Sequence, residues 1–490
     1  MTWLSATWID TGRELRRPPR DDRMSTRAAV RFDASRVPPR RCVARHRDGA
    51  WRRRAAPSRR AAHIGYTLPR PSHRRADPGP GVGPAVLRRP GGRMTSTRAS
   101  SAAFAAAFFF LPLSKPATFA ALGVAVLLLV LGRSRERGAR ERRLPPWAGA
   151  IAVLAALPVA SIAIHPDGAA NLRYLSLGYL WLLPFAVFAG ARRADVASWL
   201  AAFLGGTALA WIHLRLETIG VTLLPARPAA LGNSILTSQF LALGLVAAAM
   251  LYRHDPRPLA RAAYAVIAAA MALGIASGEG RTGAVVAIAL MPMVAAALLP
   301  RRGLAIVAVG CAVGTAALLA SPTVQTRIGQ AARDVVHWRT ADDRALTQLP
   351  EGRQNSIGLR LEMWRTAGRV FAEHPIAGSG PQAFQRAWWE RFPEPGARFA
   401  EPHSAYLFYA AAYGLPGVLA LLAFVVALLR TGWRHRARLA GGVTLGFGLM
   451  VAIAGLTNTL ILGTTSTQML MLFAGLAGAL WRIDPPGAPR

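Results

Sequence analysis

The sequence predicts an all-α polytopic membrane protein of about twelve transmembrane helices with one long helical loop on the outer side. Three observations predict it. Apolar runs long enough to cross a ~30 Å hydrocarbon core recur from Met94 onward. Arginine marks every second connector between them. A polar stretch from Ser321 to Pro402, too long for a structureless connector, interrupts the series.

The first 93 residues stand apart. They hold 23 arginines against seven acidic residues, a net +16 of the chain's +35, with many prolines and no sustained apolar period. Such a segment cannot bury a core. It reads as a basic disordered leader, or as upstream codons joined to a gene whose start is Met94. Arginine fills the basic positions and Lys115 is the only lysine, so codon bias accounts for the charge better than a nucleic-acid surface does. Neither a secretory signal nor a transit peptide fits it. Cys42 and Cys311 are too far apart in character to suggest a metal site or a disulfide framework.

The apolar stretches fall near residues 102–113, 117–132, 147–165, 173–190, 197–216, 231–252, 259–277, 282–299, 303–320, 405–429, 438–461 and 465–481. The chain then divides into the leader at 1–93, nine spans in 94–320, a loop domain at 321–404, three spans in 405–482 and a short tail at 483–490. With the N-terminus inside, the connectors Arg133 to Arg143, Arg192-Arg193, Arg253 to Arg261, Arg301-Arg302 and Arg430 to Arg438 are all cytoplasmic and all basic, so both termini are expected inside.

That alternation makes an outer arginine informative. Arg281 lies in Ser277-Gly278-Glu279-Gly280-Arg281-Thr282-Gly283, between two spans on the outer side. It either pairs with Glu279 at the interface or aims a cation at an anionic ligand from a Gly-rich turn whose amides would help. In the long segment, Leu361, Trp364, Ala367 and Phe371 recur at helical spacing, which predicts a helix from Gly358 to Glu373 with Leu361, Trp364 and Phe371 against the bundle and Arg360 near its start. His374-Pro375 ends it and Gly378-Ser379-Gly380-Pro381 is turn chemistry. His403, in Glu401-Pro402-His403-Ser404, stands immediately before the tenth span, where it is either a polar anchor or a group that moves a proton near neutral pH.

The set Gly280-Arg281-Thr282-Gly283, Arg360 with Trp364, His374-Pro375-Ile376-Ala377-Gly378-Ser379-Gly380 with Phe384, His403-Ser404-Ala405-Tyr406-Leu407 and Tyr413-Gly414-Leu415-Pro416-Gly417 resembles the O-antigen ligase and polymerase superfamily. The local motifs span roughly residues 277–417. The resemblance implies a GT-C-like, metal-independent, inverting glycosyltransferase of the bacterial inner membrane, without a cofactor, whose active site faces the periplasm. It implies a polyprenyl-diphosphate-linked glycan as donor and lipid A–core or another hydroxyl as acceptor, with membrane lipids around it and no nucleic acid. Carried over by motif, Arg281 and Arg360 become diphosphate-binding residues and His403 the catalytic histidine. Two positions depart from the family pattern: Ser404 stands where asparagine is usual after the histidine, and Gly280 where serine is usual before the arginine.

The chemistry suits those residues. Cleaving the bond from sugar C1 to a diphosphate develops negative charge that guanidiniums hold bidentately, and an imidazole can take the acceptor's proton at neutral pH. Arg227 is a further outer cation, for phosphate or for the acceptor's anionic core, or simply a surface residue. An O-antigen polymerase and a protein O-oligosaccharyltransferase share the scaffold. A secondary transporter or lipid flippase is the rival of another class, and spans nearly free of charge with an uneven nine-plus-three division speak against it.

Overall fold

The computed structural model describes residues 96–133, 144–165, 172–224, 228, 234–277, 281–298, 322–340, 356–393, 399–460 and 462–483. The described residues form helices and no strands. In chain order these are α1 (Ser96–Phe110), α2 (Lys115–Arg133), α3 (Ala148–Ile164), a 3₁₀ turn at Leu172–Tyr174, α4 (Leu175–Leu180), α5 (Leu183–Gly190), α6 (Arg193–Glu217), α7 (Ser234–His254), α8 (Pro258–Ala276), α9 (Arg281–Leu298), α10 (Pro322–Thr340), α11 (Ser356–Glu373), α12 (Ala383–Arg391), α13 (Ala405–Arg434), α14 (Leu439–Thr457) and α15 (Thr464–Ile483). The leader at 1–93 and the expected span near 303–320 lie outside the described residues.

Five described helices are long and apolar enough to cross a membrane: Asp195–Glu217, Ile235–His254, Pro258–Ala276, Ala405–Arg434 and Leu439–Thr457. Shorter apolar helices occupy Arg98–Phe110, Lys115–Leu131, Ala148–Ile164 and Val285–Val294. The protein is thus a multi-pass membrane protein, and twelve crossings remain the reading of the sequence. The stretch expected as one span at 173–190 is not one helix. It breaks at Trp181-Leu182, where Pro184 opens α5 and has no N–H to continue the ladder of α4. The break turns Trp181 inward, where its indole donates to the Tyr409 hydroxyl at 3.1 Å.

Aromatic rings and small residues build the bundle core. Trp199 of α6 meets Phe104 and Phe108 of α1, and Phe203, Phe108 and Phe447 gather on Phe473 of α15. In lipid, where apolar burial between helices gains little, close backbone approach supplies the attraction. Gly283 shows it: a Cβ there would overlap Ser238 of α7. Leu259, Val266 and Leu273 of α8 point outward, as a lipid-facing surface requires.

The expected span at 405–429 is also corrected, because α13 is two limbs. The Tyr406 hydroxyl donates to the Ala452 carbonyl, while Leu428 and Leu429 lie against Gly448. A straight helix would separate residues 406 and 428 by about 33 Å, whereas residues 452 and 448 of α14 are about 6 Å apart. The chain therefore folds back at Gly414, whose φ of 65° and ψ of −154° are not helical. Trp181 touches both limbs, at Tyr409 and at Phe424. The second limb, Leu415 to Arg434, is about 30 Å long and matches a hydrocarbon core on its own.

The loop helices cap this bend. Ser379 and Gly380 amides donate to the Ala411 and Ala412 carbonyls at 2.9 and 3.0 Å, and the Leu415 amide donates to the Pro375 carbonyl at 2.8 Å. Met363, Ala367, Val370, Phe384, Trp388, Phe392 and Ala411 form a separate small core there. A Cβ at Gly414 would combine an unfavourable φ with a 2.5 Å approach to the Ile376 carbonyl oxygen. Gly414→Ala is expected to destabilise the protein by about 1–3 kcal/mol; thermal unfolding of purified protein followed by tryptophan fluorescence measures it. An unchanged midpoint would mean that the bend does not need glycine.

Candidate active site

The candidate site lies at the end of the bundle where α7, α9 and α13 begin and α14 finishes. Arg281 is the first residue of α9. Next to it, Thr282 Oγ1 shares a 3.2 Å hydrogen bond with Thr457 Oγ1 at the end of α14, and the Gly283 amide donates to Ser238 Oγ at 3.1 Å. From the other side, Ser404 Oγ donates to the Gly455 carbonyl at 3.3 Å and caps α13 by accepting from the Leu407 amide. Arg281 and His403 are therefore neighbours of two residues that grip the same last turn of α14. Three helix N-termini converge here, and the positive ends of their dipoles favour negative charge.

His403 has φ of 49°, the only positive φ outside glycine among the described residues. This left-handed conformation strains a side-chain-bearing residue and persists only where surrounding structure imposes it. Here Pro402 and Ser404 are buried on either side, and the ring packs edge-on at 6.2 Å against Phe399, which in turn meets Trp388. Glu401 Oε1 lies 3.4 Å from His403 Nδ1. A carboxylate in that place favours the proton on Nδ1 and leaves Nε2 as the basic nitrogen. Glu401 Oε2 is buried with no hydrogen-bond partner among the described residues.

Arg360 is half-buried in the first turns of α11. Its neighbour Leu359 joins the small loop core that also takes Phe399 and Leu407, so the start of α11 and the His403 segment share one apolar support. Arg227 lies outside the described residues. The structure thus brings Arg281 and His403 to one end of the bundle and fixes the Arg360 helix against the same loop segment.

Some functional candidates escaped the sequence reading. Glu401 had a signal, a carboxylate two residues from a histidine, but only the turn brings the pair together. Arg215, at the end of α6, donates to Ser277 Oγ and stacks over Trp211 at 5.6 Å, which puts a guanidinium at the end of α8, four residues before Arg281 in the chain. Glu362 is fully buried; its Oε2 accepts from Trp338 Nε1 at 3.0 Å and its Oε1 pairs with Arg391 at 2.9 Å. No group of three or more His, Cys, Asp or Glu side chains gathers in metal-ligating positions among the described residues.

No curated protein matches the chain. The family model described as O-antigen ligase matches residues 265–422, the stretch that holds Arg281, Arg360, Glu401 and His403, and the chain accordingly carries a domain of the O-antigen ligase and polymerase superfamily, whose members are glycosyltransferase-type enzymes.

Proposed function

We propose that the protein is an O-antigen ligase-type glycosyltransferase that moves a polysaccharide from a polyprenyl-diphosphate carrier to lipid A–core at the periplasmic face of the inner membrane. The observation that carries this reading is the juxtaposition of His403, strained and backed by a carboxylate, with the N-terminus of α9 across the last turn of α14.

Transfer breaks the bond between sugar C1 and the diphosphate oxygen and forms one between C1 and the acceptor oxygen. The acceptor proton passes to His403 Nε2, and the diphosphate leaves with the charge of the broken bond. Glu401, 3.4 Å from Nδ1, positions the imidazole as a carboxylate does beside a general base. Arg281 and Arg360 hold the leaving diphosphate, aided by the amides at the start of α9. Attack from the face opposite the leaving group inverts C1. The acceptor hydroxyl must then lie within about 3 Å of Nε2 and on the far side of C1 from the diphosphate.

Purified protein, a polyprenyl-diphosphate-linked glycan and lipid A–core test the reading. Arg281→Ala and Arg360→Ala are each expected to lower the transfer rate by about 10²–10³. Arg→Lys at either place retains charge but not the bidentate fork and should fall between. Transfer at the wild-type rate in both alanine variants would overturn the assignment. Glycan appearing on lipid A–core supports a ligase; lengthening of the carrier-linked chain, with lipid A–core unmodified, would make the enzyme a polymerase.

A further inference from the structure

A cleft of about 660 Å³ opens between the outer end of α3 and the loop helices, within the size range of small-molecule sites. It does not include His403. His165 enters from just beyond α3, Glu373 and His374 from the end of α11, and Arg386 and Glu390 from α12. Ile164 and Ile376 add exposed apolar surface to the same walls.

The two faces of α12 explain the placement. Phe384 and Trp388 turn into the small loop core that supports Phe399 and, through it, His403. The face at 383, 386, 387 and 390 looks into the cleft, with alanines at two of these positions leaving room between the charged ones. The cleft and the His403 segment are thus on opposite sides of one helix, a thickness of about 10 Å.

The chemistry of the walls selects a ligand class. Among the described residues, two carboxylates and one guanidinium give no excess of positive charge to hold a phosphate, so an anion gains little from them. The His165 imidazole, when neutral, both donates and accepts. Arg386 reaches the Ser379 carbonyl at 3.4 Å and is held beside the turn that forms the cleft floor. Carboxylate acceptors, guanidinium donors and small apolar patches complement the hydroxyls and C–H faces of sugar rings.

We infer that this cleft is a binding subsite for a neutral oligosaccharide segment of the glycan substrate, away from the reacting bond. The ligand class rests on the glycosyltransferase reading; the cleft and its charge balance do not.

Binding is read on His403→Ala protein, full length and in detergent, so that turnover plays no part. The probes are an array of neutral hexose and deoxyhexose oligosaccharides, one array member carrying a phosphate monoester, and inorganic pyrophosphate. Neutral oligosaccharides are expected to bind, and Arg386→Ala or the isosteric pair Glu373→Gln and Glu390→Gln to weaken them about tenfold or more. On the His403-intact background, the same variants should raise the apparent KM for glycan by a similar factor with kcat retained. No binding by any neutral member, preference for the phosphorylated probe or pyrophosphate, or undiminished binding by all variants would each overturn the inference. Loss of transfer in His403→Ala with unaltered glycan binding separates a failure of the subsite from a failure of the catalytic assignment.

Discussion

His403→Ala is expected to lower glycosyl transfer by about 10²–10⁴, the span general-base groups supply, with protein level, membrane insertion and unfolding midpoint unchanged. The alanine keeps the Cβ and so the backbone strain, and removes only the imidazole. His403→Gly sharpens the test, because glycine adopts φ of 49° without that strain. If the residue were a polar anchor, glycine would be neutral or stabilising with activity intact. A catalytic histidine instead predicts a protein slightly more stable than wild type and equally inactive, a trade of stability for function. Glu401→Gln should keep the fold and lose part of the rate, because the amide no longer fixes the imidazole through a carboxylate at Nδ1. Wild-type activity in His403→Ala would end the general-base role.

Much of this candidate site is legible in the sequence because its residues stand out by local chemistry. Arg281 stood out through the sidedness of the arginines, and His403 through its place before an apolar run. Ser404 entered only as a departure from the family pattern, and its capping of the helix it precedes is a finding of the structure. What escaped the sequence depends on partners distant along the chain. The spacing of Leu361, Trp364 and Phe371 suggested the buried stripe of α11, yet Met363, Ala367 and Val370 are the buried apolar residues, and the first three are half-buried. The stripe is rotated because Glu362, an acid that pattern reading assigns to solvent, turns inward to Arg391 and Trp338. In the same way, a continuous apolar run from Ala405 conceals a helix that doubles back. Apolarity is unchanged across Gly414, and only its backbone conformation and the loop packed on it reveal the reversal.

Glu362→Ala is expected to destabilise the loop unit by about 3–5 kcal/mol, because it leaves the Arg391 guanidinium in a site built to neutralise it. Glu362 is fully enclosed and the Arg391 side chain only 14% exposed, so solvent replaces little of the missing partner's charge. The pair also joins three segments: α11 through Glu362, α12 through Arg391 and α10 through the Trp338 indole. Its loss should loosen the support of Phe399 and Arg360 and so reduce transfer without touching a reacting group. Glu362→Gln keeps the volume and the acceptor for Trp338 but not the charge, and separates the ion pair from packing. The decisive comparison is the double replacement Glu362→Leu with Arg391→Met. A buried ion pair offsets a large desolvation cost, so exchanging both partners for apolar residues of similar size is often neutral or stabilising. Limited proteolysis of the loop and thermal unfolding should therefore show the single variants well below wild type and the double variant close to it. If the double variant falls as far as the singles, the pair contributes directional contacts that apolar packing does not replace. If Glu362→Ala alone is harmless, the loop unit is held by its aromatic core around Trp388, and the ion pair is incidental to the placement of Arg360 and His403.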